Sequence, residues 1–209
     1  YGLLMVFEED FSYESVMRLL RTGMSDLLTE EIDQLENYIL ASGIRGHRKY
    51  EEPFVIFPQG YTPEMLVELN EIRMRLVVPL QQFAATVLQR TQAQNERKRQ
   101  SKWLTKTRKV SVEALSYGIY EYLTHHHIQE RLEEKADAVK SGEYRQIYGA
   151  CMDLLDKVVC MLGTEEMTVT EYREILASGF ESIAVGMIPP AKDCVVIGDM
   201  ERTRLSDIR

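Results

Sequence analysis

Eight basic side chains crowd into one stretch of this chain: Arg90, Arg97, Lys98, Arg99, Lys102, Lys106, Arg108 and Lys109, with Glu96 the one acid between residues 90 and 110. That leaves 17 bases and 32 acids for the rest of the 209 residues, so a segment of net charge +7 sits in a surround of −15. Gln, Asn, Ser and Thr fill the gaps, and Trp103 stands in the middle. Closely spaced cations neutralise phosphates, and an interleaved aromatic stacks on bases, which is the chemistry of nucleic-acid tracking. The same composition suits a solvated helix end that links two halves of a helical body. The residues alone leave both readings open.

Other reactive side chains carry less. His125, His126 and His127 are adjacent, and consecutive helical residues point about 100° apart, so three such imidazoles do not converge on one ion. They read as a polar helix terminus. Glu133-Glu134-Lys135 has the form of a nuclease Glu-x-Lys, but metal-dependent cleavage needs a second carboxylate on a neighbouring strand, and this triplet falls in a helical run from 128 to 138. Cys151, Cys160 and Cys194 form no Cys-x-x-Cys pair, and each is expected in the core. The chain has no Gly-x-Gly-x-x-Gly, no Gly-Lys-Ser/Thr phosphate loop, no Gly-x-Ser-x-Gly and no His-Glu-x-x-His. The expectation is a non-enzymatic fragment with no metal or cofactor of its own.

The elements that must position these residues are mostly helices. Residues 12–22 carry Tyr13, Val16 and Leu20 at helical spacing behind Ser12, an N-cap residue. Residues 30–42 repeat the pattern with Ile32, Leu35 and Ile39. Thr62-Pro63-Glu64 opens a long helix to about residue 92, with a stripe of Met65, Leu69, Ile72, Leu76, Leu80, Phe83 and Val87. Pro79 inside it removes one backbone hydrogen bond and predicts a kink. Further helices are expected over 112–123 and 143–162, and after the capping box Thr168-Val169-Thr170-Glu171, with Met167 and Tyr172 as its hydrophobic staple. Leu20 to Met24, Leu40 to Ile44 and Leu176 to Phe180 each place Gly before an apolar residue, the pattern of a left-handed C-cap. Strand signals are few. Residues 54–57 lie between Pro53 and Pro58 and suit a sheet edge at best, whereas residues 194–198 read as a strand buried on both faces.

Composition sets the class. With 44% apolar and 28% charged residues the chain is an ordinary globular sequence, and 12 Gly and 6 Pro exclude a fibrous one. No apolar run nears the roughly 18 residues that cross a bilayer. An odd cysteine count and no secretory leader predict a reducing, cytoplasmic setting. The start at Tyr1 and the stop after an orphan strand-like run predict a piece of a longer protein. The fold class expected is a mainly α multi-helix domain with a minor β element near the C-terminus. Residues 1–192 would form the helical body, in one layer or in two joined through 90–110, and 193–209 a strand leading elsewhere.

Several stretches bear a family likeness. Met187-Ile188-Pro189-Pro190, Asp193-Cys194-Val195-Val196-Ile197-Gly198-Asp199 and Arg202-Thr203-Arg204-Leu205 resemble the closing signature of the AddB family, one of the two components of bacterial AddAB ATP-dependent helicase/deoxyribonucleases. Phe11 to Val16, Leu20 to Met24, Glu30 to Tyr38, Gly43-Ile44-Arg45-Gly46, Leu154-Leu155-Asp156 and Gly179-Phe180-Glu181 are similar to the same family, in order along the chain.

The resemblance implies a parent with a superfamily-1-type helicase core and a nuclease domain holding a 4Fe-4S cluster. Such a parent uses ATP and Mg2+ and processes double-strand breaks with an AddA-type partner. This chain would be its helical insertion, with residues 194–198 re-entering a RecA-like sheet. It departs from the pattern in having no nucleotide loop, nuclease carboxylates or cluster cysteines. His47-Arg48-Lys49-Tyr50 keeps the bases after Arg45-Gly46 but replaces the family's aromatic, and residues 92–108 match poorly. On this reading Arg97, Lys98, Arg99, Lys102, Trp103, Lys106, Arg108 and Lys109 contact single-stranded or duplex-end DNA. Arg202 and Arg204 face the helicase core or its DNA. The other reading is a spacer that packs on the AddA-type partner and never touches DNA.

Overall fold

The computed structural model describes residues 1–94, 103–139 and 143–182. Arg97, Lys98, Arg99, Lys102, Arg202, Arg204 and the apolar run 194–198 lie outside the described residues. Among the described residues the regular elements are helices and one pair of two-residue strands.

The N-terminal part holds α1 (Gly2–Glu8), α2 (Tyr13–Leu20), α3 (Thr29–Ser42) and α4 (His47–Glu51). In α1, Leu3, Leu4, Val6 and Phe7 are all buried, a run too short for periodicity to reveal. The Ser12 hydroxyl accepts from the Ser15 N–H at 3.1 Å and starts α2. Glu31 reaches back to accept from the Leu28 N–H at 2.8 Å and starts α3. Gly43 then ends that helix at φ +63°, and the Ile44 N–H closes onto Ile39 O. Gly23 takes φ +68° just beyond α2. The third Gly of this pattern behaves otherwise. Gly179 lies inside a helix, and a Cβ there would stand 2.5 Å from Leu154 Cδ1, so packing rather than termination explains it.

The segment 54–57 forms no strand. Phe54 alone is buried, and the Asn70 side chain takes both its backbone groups, accepting from the N–H at 2.8 Å and donating to the C=O at 3.0 Å. One amide thus does the work of a neighbouring strand, while Val55, Ile56 and Phe57 face outward.

Helix α5 (Pro63–Gln94) continues through Pro79 and is the axis of the fold. Its buried stripe starts at Leu66 rather than the exposed Met65, then follows Leu69, Ile72, Leu76, Leu80, Phe83 and Val87, with Val77, Ala84 and Leu88 beside it. Next come β1 (Val110–Ser111), α6 (Val112–His125), α7 (Ile128–Val139), α8 (Glu143–Leu162), β2 (Glu166–Met167) and α9 (Val169–Glu181). The two strands pair antiparallel, Val110 with Met167 and Ser111 with Glu166. Ser111 caps α6 by accepting from the Ala114 N–H at 3.0 Å. Thr168 and Glu171 form the expected capping box: the Thr168 hydroxyl accepts from the Glu171 N–H at 3.2 Å and Glu171 accepts from the Thr168 N–H at 2.7 Å.

One continuous apolar core draws on α1–α6, α8 and α9, and α7 buries Ile128, Leu132 and Ala136 beside it against α6 and α8. Cys151 is partly buried against that core. Cys160 is exposed, contrary to its expected place inside: it lies on the outer side of α8, whose inner side presents Leu155 and Val158. Among the described residues no helix is long and apolar enough to cross a membrane.

Candidate nucleic-acid interface

Trp103, the aromatic of the basic run, is not on the surface. It is only 4% exposed, in edge contact with Phe11 at 5.2 Å between ring centroids and near Phe7 at 6.2 Å and His47 at 5.7 Å. Its indole N–H donates to Glu51 Oε2 at 3.3 Å. Contrary to expectation, Trp103 is not placed to stack on a base: burying a large apolar ring wins over leaving it wet. A sequence cue exists in Leu104, the neighbouring apolar residue, which is equally buried. Phe11 reaches the indole from the α1–α2 turn, where Asp10 and Phe11 adopt φ of +47° and +55°. The turn is tied down by Asp10, which accepts from the His47 N–H at 3.3 Å and meets its ring Nδ1 at 2.5 Å.

The cations after this anchor remain outside. Lys106 and Lys109 are exposed and Arg108 is half-buried. Glu171, below the usual carboxylate range because the Thr168 N–H and then its hydroxyl bond to it, is held lower still by the charge of Lys109. The Ser111 N–H donates to Thr91 Oγ1 at 3.2 Å, which brings this stretch back to the end of α5. There the Arg90 guanidinium carbon lies 3.2 Å from the Tyr117 ring centroid and a guanidinium nitrogen 3.9 Å from Glu113 Oε1.

Helices α5 and α6 run antiparallel, since Arg90 meets Glu113 and Thr86 donates to Glu121 at 3.0 Å, further along α6 and earlier on α5. Between them is a groove of about 510 Å³, with Pro79, Gln82 and Thr86 on one wall and Tyr117, Tyr120 and Glu121 on the other. Tyr120 is 46% exposed, and its ring centroid lies 6.2 Å from that of Tyr117. Sequence periodicity passed over this wall because Leu115 and Ile119 mark only the opposite, inward face of α6.

The three histidines separate. His125 ends α6 exposed, His126 is buried, and His127 takes the left-handed φ of +51° that turns the chain into α7. His126 Nδ1 lies 2.9 Å from Asp26 Oδ2, and Arg131 donates to Asp26 Oδ1 at 2.5 Å and Ser25 O at 2.7 Å. Burial lowers the His126 pKa, outweighing the opposite pull of Asp26. The group clamps the 23–26 loop to the α6–α7 corner. Glu133, Glu134 and Lys135 lie exposed along α7. Among the described residues no three His, Cys, Asp or Glu side chains gather as a metal site. A 4Fe-4S cluster takes four thiolates, and the chain has three cysteines, so these residues do not fit that group.

No family model matches this chain. Curated relatives do. The B component of the ATP-dependent helicase/deoxyribonuclease of Lachnoclostridium phytofermentans is 34% identical over 99% of this chain and 17% of its own length. The proteins of the same name from Acetivibrio thermocellus and Clostridium novyi are 31% and 30% identical over 100% of this chain, and 18% and 17% of their own lengths. The chain thus spans less than a fifth of the length of the relatives it matches, and essentially all of it is matched. It belongs, as a segment, to the AddB family of ATP-dependent helicase/deoxyribonuclease subunits.

Proposed function

We propose that this chain is the helical insertion of an AddB-type subunit that presents a basic edge to DNA during double-strand break processing and recombinational repair. The observation that carries the reading is the segregation of charge: +7 between residues 90 and 110, in a chain otherwise at −15, within a segment of a subunit family named for DNA chemistry. The fold supports it by burying Trp103 and Leu104 as an anchor and leaving Lys106 and Lys109 in solvent. Arg97, Lys98, Arg99, Lys102, Lys106, Arg108 and Lys109 neutralise phosphates, while Arg202 and Arg204 serve the helicase core or its DNA. Catalysis, ATP, Mg2+ and the 4Fe-4S cluster belong to the rest of the parent, which acts with an AddA-type partner in the cytoplasm.

The test is fluorescence anisotropy of labelled single- and double-stranded oligonucleotides at low and physiological salt. The expected result is binding that falls steeply with salt, and a weaker, flatter dependence after replacing Lys98, Arg99 and Lys102 with Glu. An unchanged isotherm overturns the assignment. A second reading, a spacer that packs on the AddA-type partner, is favoured by the outward-facing Val55, Ile56 and Phe57. Salt-insensitive association with that partner, and none with DNA, would establish it.

A further inference from the structure

We infer that the α5–α6 groove receives an unpaired base of single-stranded nucleic acid, stacked on Tyr120 and Tyr117 and read at its edge by Glu121 and Gln82. The inference rests on the proposed DNA-facing role and deepens it. With Trp103 buried, the basic run has no aromatic of its own, and stacking must come from elsewhere on the surface. The tyrosines of this groove are placed to supply it. Tyr120 is half-exposed, Tyr117 lies beside it, and Arg90 covers one face of Tyr117 at the end of the groove. Aromatic faces joined by a guanidinium are what sequence-tolerant strand binding uses.

Charge decides which part of the strand enters. Glu121 lines the groove and repels a phosphate, so the backbone keeps to the cationic side and the base turns inward. Two cations of that side are brought near each other by the backbone. Arg90 is the neighbour of Thr91, whose hydroxyl holds the Ser111 N–H, and Lys109 stands two residues before Ser111. The volume of about 510 Å³ falls within the range of small-molecule clefts and accommodates one base.

The polar groups also set a preference. Glu121 offers acceptors only, and its Thr86 bond orients the carboxylate. A carboxylate accepts from the amino group of cytosine. Thymine presents carbonyl oxygens on both sides of its ring N–H and repels it. The groove should therefore favour cytosine over thymine.

The experiment measures binding of the full 209-residue chain to labelled oligo-dC and oligo-dT of equal length by anisotropy across a salt series. Tyr120→Ala should weaken oligo-dC binding roughly 5- to 100-fold without changing its salt slope, because a stacked base neutralises no cation. Glu121→Gln, which both donates and accepts, should erase the preference for dC over dT. Irradiation of an oligonucleotide carrying 5-iododeoxycytidine should cross-link to Tyr120 or Tyr117. Circular dichroism on both variants establishes that they fold. If Tyr120→Ala binds as wild type while Lys106→Glu with Lys109→Glu abolishes binding, the inference falls and the DNA-facing role stands. If no oligonucleotide binds even at low salt, that role falls and takes the inference with it. If Tyr120→Ala loses only association with the AddA-type partner, the groove is a protein contact and the inference is overturned.

Discussion

Gly118 of α6 presses against Val87 of α5 so closely that a Cβ built on it would stand 2.8 Å from Val87 Cγ2 and 3.0 Å from Phe83 Cε2. The neighbours are a branched side chain and a ring, both fully packed, and neither yields cheaply. Gly118→Ala should therefore push the helices apart and destabilise the chain by about 1–3 kcal/mol, offset by up to about 1 kcal/mol of helix propensity. Urea unfolding should show a lower midpoint at an unchanged slope.

The single tryptophan offers an optical check on its burial. Trp103 should emit as a buried indole and resist iodide quenching, and saturating oligonucleotide should leave its emission unshifted. Trp103→Ala should remove about 3–5 kcal/mol of stability through loss of packing with Phe11 and Phe7. An emission shift on binding would return the indole to the interface.

The clamp at His126 makes stability depend on pH. Around its ring stand Asp26 from the 23–26 loop, Arg131 from α7, and Tyr122 and His125 from α6. The folded-state pKa is depressed by burial, so the folded protein binds fewer protons here than the unfolded chain. Stability from this group is present above the ordinary histidine value of about 6.5 and is lost as pH falls below it. Wild type should lose more stability than His126→Gln between pH 7.5 and pH 5.5, measured by urea unfolding. Parallel losses would remove His126 from the account.

Arg73 is a buried cation that serves carbonyls. It donates to Tyr50 O at 2.8 Å, Glu51 O at 3.0 Å and Asn70 Oδ1 at 3.1 Å, and so fastens α4 to α5. Arg73→Met keeps much of the volume but takes the guanidinium from the Tyr50 and Glu51 carbonyls, at about 1–3 kcal/mol for each left without a partner, while Asn70 Oδ1 keeps the Phe54 N–H. Arg73→Lys should recover only part, since one ammonium does not reproduce the planar fork. A lowered thermal midpoint for both, larger for Met, is the expected outcome.

Helices with local start signals were readable from sequence. Ser12 and Thr168 cap where their residue types say they should, and α8 spans the stretch marked by its own periodicity. Elements defined only by tertiary contact were not. The strands 110–111 and 166–167 exist because α6 and α9 begin side by side, and α4 is a five-residue turn held by Arg73. For the candidate site, the charge of 90–110 is visible in the sequence, but apart from the apolar Leu104 beside it nothing marks Trp103 for enclosure by Phe7 and Phe11. Tyr117, Tyr120 and Glu121 became a wall only once α6 was laid antiparallel on α5.

Trp103 and Leu104 are held in the core, while Lys106 and Lys109 shortly after them stay in solvent. Affinity for a polyanion and stability of the fold therefore rest on separate side chains of one short stretch. A charge change at Lys106 retunes the first and leaves the second almost untouched, since surface substitutions away from packed contacts shift stability by about 0.5 kcal/mol or less.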